Sequence, residues 1–144
     1  MSRTPHCFLA CYLILIKNGK IMLSKRQNTG YQDGRYSMIA GHIEEGESVW
    51  DAMVREAREE AAMELDPRQF KMEHIMHRHD VDREYIDFFM SPTGGYGEPK
   101  NVEPDKCIEL RWVDMDRLPD EIVSYIRQAI ESIRKGEFYS EWRV

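Results

Sequence analysis

The chain reads as a single α+β domain over residues 1–144, and three patterns carry that reading. An apolar run from Phe8 to Ile16, then Asn18-Gly19, then the short run Ile21 to Leu23 has the form of a β-hairpin, because Asn-Gly supplies the positive φ angles of a tight turn. Trp50, Met53, Val54, Ala57 and Ala61 recur at helical spacing, which predicts a helix over about 49–62. Ile122, Ile126, Ala129, Ile130 and Ile133 do the same for a second amphipathic helix over about 119–135.

The remaining elements follow in order. Gln27 to Arg35, QNTGYQDGR, is polar with two glycines and predicts a surface loop, and Tyr36 to Ala40 a short strand. Ser48 with Asp51 three residues on resembles a capping box at the start of the first helix. Asp66-Pro67 stops any extension, since proline disfavours helical geometry in the residue before it. Phe70 to Val81 and Glu84 to Met90 are expected as strands joined by a charged turn, although alternation in the first is imperfect. A loop holding Gly94, Gly95, Gly97, Pro99 and Pro104 leads to a last strand, Ile108 to Val113. Arg134, Lys135 and Gly136 suit the end of the second helix. The tail from Glu137 to Val144, with Phe138, Tyr139 and Trp142, is expected to dock on the domain or on a partner, a homodimer being one form that partner could take.

Composition bounds the function. Hydrophobic residues at 42% suffice for a core, while the net charge of -6 argues against a broad nucleic-acid footprint, which needs a basic stripe. A small anionic ligand is still compatible through a bound cation. The Phe8 to Ile16 run is far shorter than the roughly 20 residues that span a bilayer, and no cleavable signal precedes it, so a cytoplasmic protein with no membrane partner is expected. Cys7, Cys11 and Cys107 form an odd set without a CxxC pair, which speaks against disulfides or a structural zinc site and predicts buried or half-buried thiols.

Glu56, Glu59 and Glu60 share one side of the first helix, bordering its apolar stripe. Like charges at this spacing destabilise a helix by roughly 0.2–0.5 kcal/mol per pair, unless a cation or an arginine offsets them. Magnesium, a hard ion that takes oxygen ligands and keeps waters for a phosphate substrate, is the natural candidate. A solvated face with Arg55 and Arg58 pairing locally is the alternative, and the surrounding sequence decides against it. The stretch Gly41 to Met63, GHIEEGESVWDAMVREAREEAAM, resembles the 23-residue signature of the Nudix hydrolases at Gly41, Glu47, Arg55, Glu56, Ala57, Glu59, Glu60 and Met63.

That resemblance implies an α/β/α sandwich with a mixed sheet and hydrolysis of a nucleoside diphosphate linked to another group. By position it makes Glu56, Glu59 and Glu60 the magnesium ligands, with manganese as a substitute and the Gly41 carbonyl completing the set. Arg55 and Glu47 become a supporting ion pair. The loop GEPKNVEPD, Gly97 to Asp105, resembles that of triphosphate-cleaving members and makes Glu103 a further catalytic or metal-binding carboxylate, with Glu98, Asp105 and Glu109 as competitors. Arg26 stands where relatives often carry an arginine that meets substrate phosphates. The reaction implied is cleavage of a nucleoside triphosphate to monophosphate and pyrophosphate. A nucleoside diphosphate sugar such as ADP-ribose as substrate, or a nucleotide-sensing module without turnover, are the alternatives.

Two positions depart from the family pattern. Ala62 replaces a glycine that helps to end the helix, so the helix is expected to run toward Glu64, and Ala40 replaces a second glycine before the box. His74, His77 and His79 cluster, with His77 and His79 on one strand face, and are read as polar surface rather than ligands. Tyr31, Tyr36 and Phe88 could stack on a base but are read as core, and Arg78 and Arg83 are assigned no role.

Overall fold

A computed structural model of the chain describes residues 6–144. The strands are β1 (Cys7–Leu13), β2 (Ile16–Lys17), β3 (Lys20–Arg26), β4 (Tyr36–Ser37), β5 (Ala40–His42), β6 (Phe70–His79), β7 (Glu84–Pro92), β8 (Cys107–Asp114) and β9 (Tyr139–Arg143). The helices are α1 (Val49–Ala61) and α2 (Ser124–Arg134). A five-stranded mixed sheet runs β5-β1-β7-β6-β9, with β1 parallel to β7 and β6 parallel to β9. In the second sheet β3 is central, pairing antiparallel with β8 and with both β2 and β4.

The period of two along β1 sorts the core into two layers. Ala10 and Tyr12 join Met76, Phe89, Ile126, Ala129 and Ile130 under α2, whereas Cys11 and Leu13 join Ala52, Met53, Ala57 and Met90 under α1. The helices therefore cover opposite faces of the five-stranded sheet, giving the α/β/α sandwich and the α+β class expected. No helix of the described residues is long and apolar enough to cross a membrane.

Several boundaries differ from expectation, each for a local reason. The Phe8 to Ile16 run is two strands, because the chain leaves one sheet for the other at Ile14 and Leu15, both buried. The hairpin joins β2 to β3 through Asn18 (φ 53°) and Gly19 (φ 76°). Tyr36 to Ala40 likewise splits between the two sheets as β4 and β5. The imperfect alternation of β6 comes from a register shift between Met72 and His74. Helix α2 starts at Ser124 rather than 119, because Tyr36 N–H donates to the Glu121 carbonyl and Val123 N–H to the Tyr36 carbonyl, holding that backbone beside β4. The aromatic tail forms β9, which pairs with β6 over Ile75 to His79.

The expected run of α1 past Ala62 is also corrected. The helix ends at Ala61, and Ala62 takes the left-handed conformation (φ 53°, ψ 34°) that the glycine of the family pattern adopts freely. Its N–H still meets the Arg58 carbonyl at 3.1 Å, and Met63 N–H that of Ala57 at 3.2 Å. Alanine here carries a steric cost of order 1 kcal/mol. Ala62→Gly is thus expected to stabilise the fold by about 1 kcal/mol in denaturant titration, and an equal or lower midpoint would overturn that account.

Candidate active site

Ser48 starts α1 by accepting a hydrogen bond from Asp51 N–H at 3.1 Å, and the inner stripe Ala52, Met53, Ala57 and Ala61 is fully buried. Three alanines in that stripe let the helix lie close to the sheet. As a result the Glu56 carboxyl rests directly on Gly41 of β5, where even a methyl group would overlap the carboxyl atoms. Any side chain at Gly41 displaces Glu56, which is the physical reason for glycine there. The Gly41 carbonyl takes a weak contact from the Cys11 thiol at 3.5 Å, and burial, with the Glu56 charge second, pushes that thiol up to about 12.

Arg55 ties the carboxylates together. Its Nε and Nη2 bond Glu47 in a two-pronged contact at 2.8 and 3.0 Å, Nη1 donates to Glu56 at 2.7 Å and to Glu59 at 3.4 Å, and Nη2 also reaches the His42 carbonyl at 3.0 Å. These bonds hold the Glu47 carboxyl below its ordinary value. The planar guanidinium makes all five of these contacts from one flat fork, the two-pronged one included, whereas an ammonium has only three donors.

Glu60 lies deeper than its neighbours. Burial first, and then the Glu56 carboxyl beside it, push its carboxyl up to about 10, and Glu103 adds to the rise. Its Oε2 is buried without a hydrogen-bond partner. An orphaned carboxylate oxygen beside the Glu56 carboxyl is a pair of hard oxygen donors, and that chemistry fits a divalent cation. Glu59 is more exposed and turned toward Arg55, so the three helix glutamates are not equivalent.

The loop before β8 is stitched to the end of α1 through Lys100 N–H to the Ala61 carbonyl at 2.9 Å. Asn101 caps the Glu103 N–H at 3.1 Å, and the Glu103 carbonyl accepts from Lys106 and Cys107. Glu103 and Glu60 therefore line one cavity of about 190 Å³, with Arg26 and Ala40. Two competitors are engaged elsewhere: Glu98 accepts from the Trp112 indole at 2.7 Å, and Glu109 accepts from the Tyr36 hydroxyl.

Arg26 anchors the loop that follows it, donating to the Tyr31 carbonyl at 2.8 Å and to Thr29 Oγ1 at 3.1 Å. It also lines a cavity of about 580 Å³ with Tyr31, His42, Asp80, Arg83 and Tyr85, within the size range of small-molecule sites. A neighbouring hollow of about 310 Å³ reaches Gly41, and Arg78 forms part of its lining. Asp80, Arg83, Tyr85 and His42 are not identifiable as site residues from the sequence. The one available signal is the charged turn between two strands. His74, expected at the surface, is instead buried and bonded to the Glu137 carbonyl and Ser140 Oγ. Tyr31 also departs from the core reading, being partly exposed.

The chain is 30% identical over 108 residues to the NAD-capped RNA hydrolase NudC of Stutzerimonas stutzeri, covering 74% of this chain and 37% of that protein. It is 25% identical over 112 residues to an oxidized purine nucleoside triphosphate hydrolase of Danio rerio, covering 77% and 69%. The chain spans little more than a third of the length of the NudC relatives. Among solved structures it superposes on a MutT NUDIX hydrolase from Burkholderia pseudomallei with a TM-score of 0.78 and 25% identity, covering 88% of this chain and 97% of that one. The family model described as NUDIX domain matches residues 9–133, and the chain belongs to that family.

Proposed function

We propose that residues 6–144 work as one catalytic domain that hydrolyses a pyrophosphate bond of a nucleoside triphosphate, releasing the monophosphate and pyrophosphate. The observation that carries this is the buried, unpartnered Oε2 of Glu60 beside the Glu56 carboxyl, in a cavity of about 190 Å³ that Glu103 and Arg26 also line. Glu56, Glu60 and the Gly41 carbonyl, supported by Glu59, would hold magnesium or, in its place, manganese. The cation would neutralise phosphate charge and lower the pKa of an attacking water. Arg55, braced by Glu47, keeps Glu56 and Glu59 oriented. Arg26 and Arg83 offer guanidinium groups to phosphate oxygens, and Tyr31 and Tyr85 offer ring faces to a base. Glu103, which lines the same small cavity as Glu60, would take the proton of the water.

The name of the Danio rerio relative supports a triphosphate substrate, and those of the NudC relatives support a second reading, cleavage at the NAD group of a capped RNA, for which a dinucleotide is the small-molecule probe. A magnesium assay over nucleoside triphosphates, diphosphate sugars and dinucleotides, with products identified by mass, separates them. Pyrophosphate release from triphosphates is the expected result. Nucleotide binding without turnover of any substrate would instead make the domain a sensor. In the same assay Glu103→Gln is expected to lose turnover by roughly tenfold or more with little change in KM, while Glu98→Gln stays near the parent. Equal rates in the two variants would return proton transfer to the helix.

A further inference from the structure

At the start of β1 and the turn between β6 and β7, three strands bring together side chains of a different chemistry. Cys7 opens β1, Glu84 opens β7 directly beside it, and His79 of β6 pairs with Glu84 from the other side. His77 lies two residues back on the same face. The ligand atoms of Cys7, His77 and Glu84 all fall within 4.8 Å of one another, and among the described residues the helix glutamates form no such group of three. His77 Nε2 bonds Glu84 Oε2 at 2.6 Å, and His79 Nε2 lies 3.7 Å from the same oxygen.

We propose that Cys7, His77 and Glu84, with His79 as a fourth donor, form a binding site for a borderline divalent cation of the zinc class, separate from the carboxylate cluster on α1. Tetrahedral zinc with bonds of about 2.0–2.3 Å sets its ligand atoms roughly 3.3–3.8 Å apart. The His79 to Glu84 distance already lies in that range, His77 and Glu84 need to part by about 1 Å, and the His79 ring, which lies outside the close group of three, needs to turn in toward it. One thiolate and one carboxylate neutralise the two charges of the ion, while two imidazoles complete the shell. A mixed sulfur and nitrogen set selects against magnesium, whose ligands are oxygens. Cys7 is also the exposed thiol of the three, whereas Cys11 is buried and Cys107 is engaged with Ser24 and the Glu109 carbonyl. Binding releases the thiol proton to solvent, so affinity rises with pH. The ion would fasten the start of β1 to the base of the β6–β7 turn, whose residues Asp80 to Arg83 form one wall of the large cavity.

Cobalt, which reports its own coordination, tests the site. The purified metal-free chain, kept reduced and in excess magnesium to occupy the oxygen site, is titrated with Co²⁺ and followed by absorption. One equivalent is expected to give thiolate-to-cobalt charge transfer with the strong visible bands of a tetrahedral ion, displaced by one equivalent of Zn²⁺. Cys7→Ser should abolish the charge transfer, and His77→Gln should weaken zinc binding by at least about tenfold, while Glu56→Gln keeps both signals. Cobalt binding without charge transfer, or charge transfer that persists in Cys7→Ser, overturns the proposal.

Discussion

Glu60→Gln is expected to lower turnover by roughly a hundredfold or more while leaving the fold intact, because the cation it is proposed to hold would supply much of the charge stabilisation. Glutamine has the shape of a protonated glutamate, and a Glu60 carboxyl raised to about 10 is protonated in the metal-free chain at neutral pH. The substitution therefore removes the ability to become an anionic ligand and little else. The linked pH effect has a definite sign. A folded value of about 10 against an ordinary 4.5 means that this group's contribution is complete below 4.5 and is lost as pH rises toward 10. In chelator, the thermal midpoint of the parent should fall over that window, and that of Glu60→Gln should fall less. Steady-state kinetics with magnesium, together with thermal unfolding at several pH values, checks both parts. A near-normal rate in the variant would remove Glu60 from the proposed machinery.

Arg78→Met is expected to cost about 3–5 kcal/mol of stability, the usual consequence of leaving a buried charge without its partner. Arg78 and Asp87 are 2% and 0% exposed, and their two-pronged contact runs at 2.6 and 3.2 Å. The guanidinium is clamped between the rings of Tyr85 and Tyr125, 3.9 and 4.0 Å from its central carbon, and also reaches Asp80 at 3.1 Å and the Tyr12 hydroxyl at 3.3 Å. Methionine fills the volume but satisfies none of these groups. Changing Asp87 to leucine in the same chain should recover a large part of the loss, since no fully buried carboxylate is then stranded and Asp80 is partly exposed. Urea unfolding of the single and double variants measures the difference. A single-variant loss under about 1 kcal/mol would mean that the pair behaves as a surface contact.

What can be read from the sequence follows from how far apart the interacting residues lie. The glutamates of α1, its Ser48 cap and its alanine stripe are local, within a few turns of helix, and periodicity exposes them directly. The β2–β3 turn at Asn18-Gly19 is equally local. The end of α1 is misread because alanine favours a helix by propensity, whereas the contacts of Met63 and Leu65 with the α1 core layer set where the chain must turn. Strand β9 escapes the sequence since its neighbour β6 is about sixty residues earlier, and the Arg78–Asp87 pair is hidden by two strands that each read as ordinary alternation. The same holds for Cys7, His77 and Glu84. Their positions in sequence carry no ligand spacing, and only the pairing of β1, β7 and β6 makes them neighbours. Cavity residues such as Tyr85 and His42 are invisible for that reason too.

The position of β1 in the sheet also has a kinetic side. It is among the first elements of the chain, yet it lies between β5 and β7, so that Cys7 aligns with Glu84 and Tyr12 with Ala40. Neither edge of β1 can be satisfied by a local turn. Contacts of such long sequence separation must wait for loop closure before they contribute, and folds built on them acquire their native order slowly. A nascent β1, with Leu9, Cys11 and Leu13 on one face and Ala10 and Tyr12 on the other, has the edge that meets β7 bare until that strand has been made. During that interval it is the segment most exposed to pairing with a strand of another molecule, which makes it the natural point for a chaperone to shield.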